Sequence, residues 1–284
     1  MAYQWYPGHM TKTMRNMQED IKLIDLIIEL SDARIPISAR NPELKTLMNG
    51  KCHLLLLNKA DLADPAKTRL WQEYYKEQGI TCAFIDSRNN RQVKNLEKMM
   101  TEACRERIER NKRRGILNKP MRAMIVGIPN VGKSTFINSF AGRAIAKTGN
   151  KPGVTKGKQW IRLNKSFELL DTPGVLWPKI EDDRIGENLA VTGSIRDEIM
   201  EKQELACILI DKLVRLYPDC FEARYGISNE GKPYEILDRI AVKRGCLRAG
   251  NEPDPDKAAL MLLHDFRSGI LGGMTLEIPQ EDRT

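Results

Sequence analysis

The sequence contains no apolar run approaching the ~20 residues needed to span a bilayer; runs such as 54–57 end after a few positions. Its start, Met1-Ala2-Tyr3-Gln4-Trp5, lacks the basic-then-apolar pattern of a secretory signal. Neither export nor membrane insertion is expected, and the cytoplasm is the expected compartment. Histidine is scarce, with three in the chain, and the six cysteines are scattered without a C-x-x-C pair. A zinc site and a disulfide framework are therefore not expected, and reduced thiols are.

What the chain does have is length and charge. At 284 residues it is about twice a domain of roughly 150 residues, so two domains are expected. Hydrophobic residues at 41% can fill a core, and charged residues at 30% suit a folded, water-exposed surface. The net charge of +8 is concentrated before residue 205. Residues 105–122 hold eight basic and two acidic side chains, and residues 143–165 hold seven basic and none acidic. Such clusters suit a polyanion, because each neutralised phosphate releases counterions; they also suit plain solvated surface.

Short apolar runs recur at 23–30, 53–57, 80–85, 123–127, 160–163 and 167–170. Several are continuously apolar, as in strands covered on both faces. Between them lie helix-spaced stripes, one over 66–78 and one through Val93, Leu96, Met100, Cys104 and Ile108. This alternation predicts an α/β fold, a doubly wound and mostly parallel sheet. After about residue 178 the strand-like runs stop. Helical stripes follow at 205–216, 234–241 and 259–266, separated by Pro- and Gly-containing turns. The expected division is an α/β domain over 1–178 and a smaller all-α domain with its connecting segment over 179–284.

Gly127-Ile128-Pro129-Asn130-Val131-Gly132-Lys133-Ser134 matches G-x-x-x-x-G-K-[ST] between an apolar strand and a helical stretch that opens at Thr135. Backbone N–H groups of such a loop turn inward around phosphate oxygens, and the helix adds its positive end. Lys133 reaches the β- and γ-phosphates and the Ser134 hydroxyl is a Mg²⁺ ligand; Asn130, Val131, Gly132 and Thr135 line the same cradle. Asp171-Thr172-Pro173-Gly174 follows another apolar strand, so Asp171 is placed to hold the metal and the Gly174 N–H to face the γ-phosphate. Between the two motifs, Thr155 in a basic loop is the candidate to close over Mg²⁺ and γ-phosphate, with Thr148 as its competitor.

A phosphate loop does not identify the base. Asn58-Lys59-Ala60-Asp61, directly after the run 53–57, supplies that information. Guanine presents an N1–H and a 2-amino group on one edge, and one carboxylate, Asp61, accepts both. Asn58 braces the loop, the Lys59 stem lies over the base, and Asp86-Ser87-Arg88 forms a second base loop through Ser87 and Arg88. The expected ligand is GTP or GDP.

With the base motif ahead of the phosphate loop, these residues resemble the circularly permuted, translation-factor-related GTPases. Trp5-Tyr6-Pro7-Gly8-His9-Met10, Asp32-Ala33-Arg34-Ile35-Pro36, Trp177-Pro178 and Lys243-Arg244-Gly245-Cys246 extend the likeness to the ribosome biogenesis GTPase A family of bacteria. The resemblance implies a permuted P-loop GTPase domain that hydrolyses GTP to drive a late step of large (50S) ribosomal subunit assembly. It implies a helical C-terminal RNA-binding domain, and partners that are the large-subunit precursor, 23S rRNA and ribosomal proteins. No membrane is expected, and the expected state is a monomer. Val175 and Leu176 stand where many GTPases carry the water-orienting Gln, and neither side chain can hydrogen-bond water. By the same resemblance His9 is the proposed catalytic residue, alongside Lys133, and Asn130 is similar to the asparagine that coordinates K⁺ in a subset of GTPases. RNA contact or packing at a helix start is a role of nearly equal weight for His9. A GTP-dependent switch acting on protein partners, without RNA binding, is the alternative function.

Overall fold

The computed structural model describes residues 3–4, 19–42, 44, 48–116, 119–142, 160–170, 179–180, 182–195 and 200–279. In chain order the strands are β1 (Tyr3–Gln4), β2 (Leu26–Asp32), β3 (Cys52–Asn58), β4 (Cys82–Phe84), β5 (Met121–Val126), β6 (Trp160–Arg162), β7 (Phe167–Leu170) and β8 (Lys179–Ile180). The helices are α1 (Pro65–Glu77), α2 (Asn90–Ala103), α3 (Arg105–Arg113), α4 (Lys133–Ala141), α5 (Asp183–Val191), α6 (Lys202–Leu216), α7 (Cys220–Tyr225), α8 (Pro233–Arg244) and α9 (Pro255–Arg267). None among the described residues is long and apolar enough to cross a membrane.

Six strands form one sheet in the order β4-β3-β2-β5-β7-β6, with every pairing parallel except β6 with β7. All seven residues of β2 and the last five of β3 are buried, which accounts for the apolar residues 26–28 and 54–57; the buried polar residues Glu29, Ser31, Asp32 and Asn58 stand among them. β1 and β8 form a separate antiparallel pair, Tyr3 opposite Ile180. Because β3, β2 and β5 run in parallel register, the loops leaving β3 and β5 emerge at one edge of the sheet, and β4, parallel to β3, delivers its loop there too. That edge collects every described motif singled out in the sequence for nucleotide binding.

The predicted strands agree with the observed ones to within a few residues. The stripe from Val93 to Ile108 is two helices, broken at Cys104. Val93, Leu96, Met100 and Cys104 are buried, whereas α3 buries no residue fully and only Ile108 of it packs against the core, so the buried stripe narrows at the break. In the C-terminal part, Leu205, Leu209 and Leu213 of α6, Ile236, Leu237 and Ile240 of α8, and Leu262, Leu263 and Phe266 of α9 pack into the same core that Leu26, Ile28 and Ile125 of the sheet enter. Truncating one such fully buried leucine to alanine costs about 2–5 kcal/mol.

After α9 the chain returns to the sheet. The N–H groups of Met274 and Leu276 donate to the carbonyls of Leu62 (2.9 Å) and Arg34 (2.8 Å), and Trp71 Nε1 donates to the Glu277 carbonyl at 3.2 Å. The Glu277 carboxylate accepts from the N–H groups of Ile37 (2.6 Å) and Ser38 (3.0 Å), from the Ser38 hydroxyl and from Asn188 Nδ2 (3.0 Å). Gly273 is required in this return, since a Cβ there would meet the Ala63 carbonyl at 2.5 Å.

Inside β2, Glu29 is a buried carboxylate bound by Arg40 through two 2.8 Å contacts and by His53 Nε2 at 2.9 Å. Burial pushes its pKa up, but the hydrogen bonds from His53 and Arg40 outweigh that and leave it at about 2, against an ordinary 4.5. A depressed folded value stabilises the protein above pH 4.5, and that stabilisation is lost as pH falls toward 2. The shift corresponds to on the order of 3 kcal/mol. Urea unfolding at several pH values should show wild type losing more stability than Glu29→Gln over this window; parallel losses would show that Glu29 contributes nothing to acid sensitivity.

Candidate nucleotide site

The phosphate loop leaves β5 at Val126 and enters α4 at Lys133. Two of its glycines are fixed by close approach as well as by left-handed backbone. Gly127 (φ 157°) would drive a Cβ into the Leu30 carbonyl, and Gly132 (φ 97°) into Asn58 Nδ2. Phe136, Ile137 and Phe140 are buried on α4 and seat its first turn, which carries half-buried Ser134 and Thr135. The Lys133 ammonium donates to the carbonyls of Gly127 (3.0 Å) and Ile128 (2.8 Å), so the cation is folded back across its own loop. Asn130 is left-handed at φ 60°, a region asparagine tolerates better than most side chains, and its Nδ2 donates to the Gly193 carbonyl at 3.1 Å.

The residues predicted to read the base lie against this loop. Asn58, the last residue of β3, is 3% exposed. Its Nδ2 donates to the Val131 carbonyl at 2.7 Å, and its Oδ1 accepts the Ser87 N–H at 2.8 Å. One side chain thus joins the loops after β3, β4 and β5. Ser139 of α4 adds a second link, its hydroxyl donating to the Ser87 carbonyl at 2.5 Å. The Ser87 hydroxyl itself is buried with no hydrogen-bond partner among the described residues. Lys59 is left-handed at φ 61°, and its ammonium pairs with Asp32 Oδ2 at 2.8 Å.

Asp61 opens toward solvent in the 3₁₀ turn Ala60–Leu62 and pairs with Arg88 Nη2 at 2.5 Å. Arg88 also binds Asp86 through Nε at 3.0 Å. Burial raises the Asp86 pKa somewhat, but the hydrogen bonds and charge of Arg88 bring it below the ordinary value. The Arg88 side chain is 67% exposed, and an ion pair this exposed is worth about 0–1 kcal/mol. Hydrogen bonds from a base to a carboxylate are worth about 1.5–3 kcal/mol each, so a guanine edge can displace the arginine.

The structure gives Asp32 and Arg34 a role that their sequence positions do not specify. Asp32 ends β2 fully buried and accepts from the Arg34 N–H (3.0 Å), Nε (3.0 Å) and Nη2 (2.8 Å) as well as from Lys59. Burial alone would raise its pKa, but Arg34 and Lys59 hold it far below the usual carboxylate range. Arg34 Nη2 continues to the Thr192 carbonyl at 3.3 Å, and its guanidinium lies 5.5 Å from the centre of the Phe266 ring. An Asp-x-Arg at the end of a mostly apolar strand, one strand away from the base motif, was the available signal.

Of the site residues read from the sequence, the structure gathers Asn58, Lys59, Asp61, Ser87, Arg88, Asn130, Val131, Gly132, Lys133, Ser134 and Thr135 at this one edge. His9, Thr148, Thr155, Asp171, Gly174 and Val175 lie outside the described residues. His53 is bound to Glu29 on the sheet, as a structural residue would be, while the His264 side chain is 71% exposed.

Residues 122–238 match the family model described as 50S ribosome-binding GTPase. The chain is 45% identical to ribosome biogenesis GTPase A of Priestia megaterium, over 99% of this chain and 98% of that protein, and 42% identical to that of Bacillus pumilus, over 99% and 100%. Its fold is similar to the GNP-bound crystal structure of YlqF from T. maritima, with a TM-score of 0.69 and 28% identity over 95% of this chain and 99% of that one.

The contact between Gly132 and Asn58 yields a direct test. Gly132→Ala combines a left-handed backbone with overlap on the Asn58 amide, and should weaken GDP binding by at least about tenfold, measured by titration of a fluorescent GDP analogue. An unchanged affinity in a folded variant would show that the two loops do not need this approach.

Proposed function

The chain belongs to the ribosome biogenesis GTPase A family, and from that premise we propose that one guanine nucleotide lies along the sheet edge, its base at Asp61 and its phosphates at Lys133. The observation that carries this reading is Asn58, whose two hydrogen bonds bring the base loops and the phosphate loop into contact. The protein is a GTPase that binds GTP and GDP and works in large-subunit assembly.

In the proposed site Asp61 exchanges Arg88 for the N1–H and 2-amino groups of guanine, and the buried Ser87 hydroxyl is available to the base. Lys133 leaves the Gly127 and Ile128 carbonyls for the β- and γ-phosphates, joined by the N–H groups of residues 130–135. Mg²⁺ fits the hydroxyl of Ser134 at the start of α4, with Thr155 and Asp171 as its further ligands; when bound it neutralises charge on the β- and γ-phosphates. Asn130 is the proposed K⁺ ligand, and Gly174 the γ-phosphate sensor. With Val175 unable to hold water, His9 orients the nucleophile. Histidine is the side chain whose charge ordinarily changes near neutral pH, which suits it to that role.

Residues 1–178 act as the GTPase domain and 179–284 as the helical RNA-binding domain. The partner is a cytoplasmic large-subunit precursor, through 23S rRNA and ribosomal proteins, and the chain works as a monomer. The exposed basic side chains of Arg105, Arg110, Lys112, Arg113 and Arg114, on and just after α3, support contact with an RNA backbone.

Asp61→Asn should move preference from GTP toward XTP, because the amide offers a donor where guanine needs an acceptor; competition binding measures it, and retained GTP preference would refute the base assignment. Co-sedimentation with large-subunit precursors should be stronger with a GTP analogue than with GDP and should weaken steeply with salt. His9→Ala should lower particle-stimulated turnover while leaving GTP affinity nearly intact; an equal turnover rate would remove His9 from the mechanism.

A further inference from the structure

At the C-terminal end of α5 and in the turn after it stand four consecutive carbonyls, those of residues 190–193, of which that of Ala190 also accepts the Gly193 N–H at 3.0 Å. Each is taken by a side chain from elsewhere in the chain. Arg267 at the end of α9 donates through Nη2 to the Ala190 carbonyl (2.8 Å) and through Nε to the Val191 carbonyl (2.9 Å). Arg34, which chelates Asp32 and through it Lys59 of the base loop, donates to the Thr192 carbonyl (3.3 Å). Asn130 of the phosphate loop donates to the Gly193 carbonyl (3.1 Å).

The four contacts are not independent. Gly193 is left-handed at φ 72°, and a Cβ on it would lie 3.3 Å from Arg267 Nε, so the guanidinium packs on the residue whose carbonyl Asn130 binds. Arg267 draws the carbonyl-rich turn toward α9 and fixes where the Gly193 oxygen stands. Asn130 in turn holds a left-handed backbone that its side-chain bond supports. The C-terminal helices, the base loop and the phosphate loop therefore meet at one turn.

We infer that Arg267 is a positioning residue for the phosphate loop: by fixing the end of α5 it sets the carbonyl on which Asn130 rests, and so couples the C-terminal helices to nucleotide retention. This rests on the nucleotide reading above. It acts at a distance, since among the described residues the contacts of Arg267 at this turn are with Ala190, Val191 and Gly193.

The test is the dissociation rate of a fluorescent GDP analogue from the full chain. Arg267→Met removes both donors and should release GDP faster by about fivefold, the effect of roughly one hydrogen bond. Arg267→Lys, with a single ammonium that serves one carbonyl better than two, should fall between. Arg248→Ala removes a cation of the same helical domain that pairs with Asp254 and Asp256, and should leave the rate unchanged. A wild-type rate in Arg267→Met, or an equal acceleration in Arg248→Ala, overturns the coupling. Should Arg267→Met fail to fold, hydrogen exchange on the wild-type protein decides. GDP should slow exchange at 189–194 and in the last turn of α9, and unchanged exchange there with GDP bound overturns the coupling. A wild-type chain that holds no GDP at all would instead sink the nucleotide reading.

Discussion

Everything at the nucleotide edge depends on how one buried amide is spent. Asn58 has a donor end and an acceptor end, and both are used across chain segments: one at the Val131 carbonyl, the other at the Ser87 N–H. Leaving either partner unpaired in this buried setting would cost about 1–3 kcal/mol. The rest of the edge is organised around satisfying it. Gly132 lacks a side chain because the Asn58 amide occupies that space, and Ser139 secures Ser87 from the helix side.

This explains why the order of motifs along the chain leaves the site intact. The loops that meet at Asn58 follow β3, β4 and β5, and what brings them together is the parallel register β4-β3-β2-β5, which takes no account of which strand comes first. The order instead changes what the chain does after the phosphate half. It runs through β8 and α5 into the helices, then returns through Met274 to Leu62, just beyond the base motif, and through Leu276 and Glu277 to residues 34–38, just beyond β2. The helical part is thereby fastened to the sheet both where it leaves and where it ends.

Much of this was legible in the sequence, and for local reasons. The phosphate loop is a backbone device whose requirements, two glycines, a lysine and a hydroxyl between a strand and a helix, fall within eight residues. The strands were legible because β2, β3 and β5 are mostly buried on both faces and so read as largely apolar runs, broken by single polar residues such as Glu29. α5 was not, because Gly186 interrupts it and its buried residues bunch at one end, Asn188 to Val191, instead of repeating each turn. The bonds from Arg34, Asn130 and Arg267 to residues 190–193, and from Ser38 to Glu277, join positions dozens to hundreds of residues apart. Their donors are common residue types in no recurring pattern, so only the assembled fold reveals them.

The two ionic groups beside the base motif differ in a way that fits their tasks. Asp32 is fully buried between Arg34 and Lys59, and a buried carboxylate with these partners removed would be left as an uncompensated charge, at several kcal/mol. It therefore behaves as a fixed part of the scaffold. Asp61 and Arg88, two residues and one loop away, meet at the surface, where the same chemistry is worth about 0–1 kcal/mol. The strong pair holds Lys59 in its left-handed turn and so sets where Asp61 stands; the weak pair keeps the Asp61 carboxylate occupied yet easily released. For the base discrimination proposed for Asp61, a carboxylate has to be accurately placed and cheaply vacated, and solvent exposure, more than residue type, separates those two properties here.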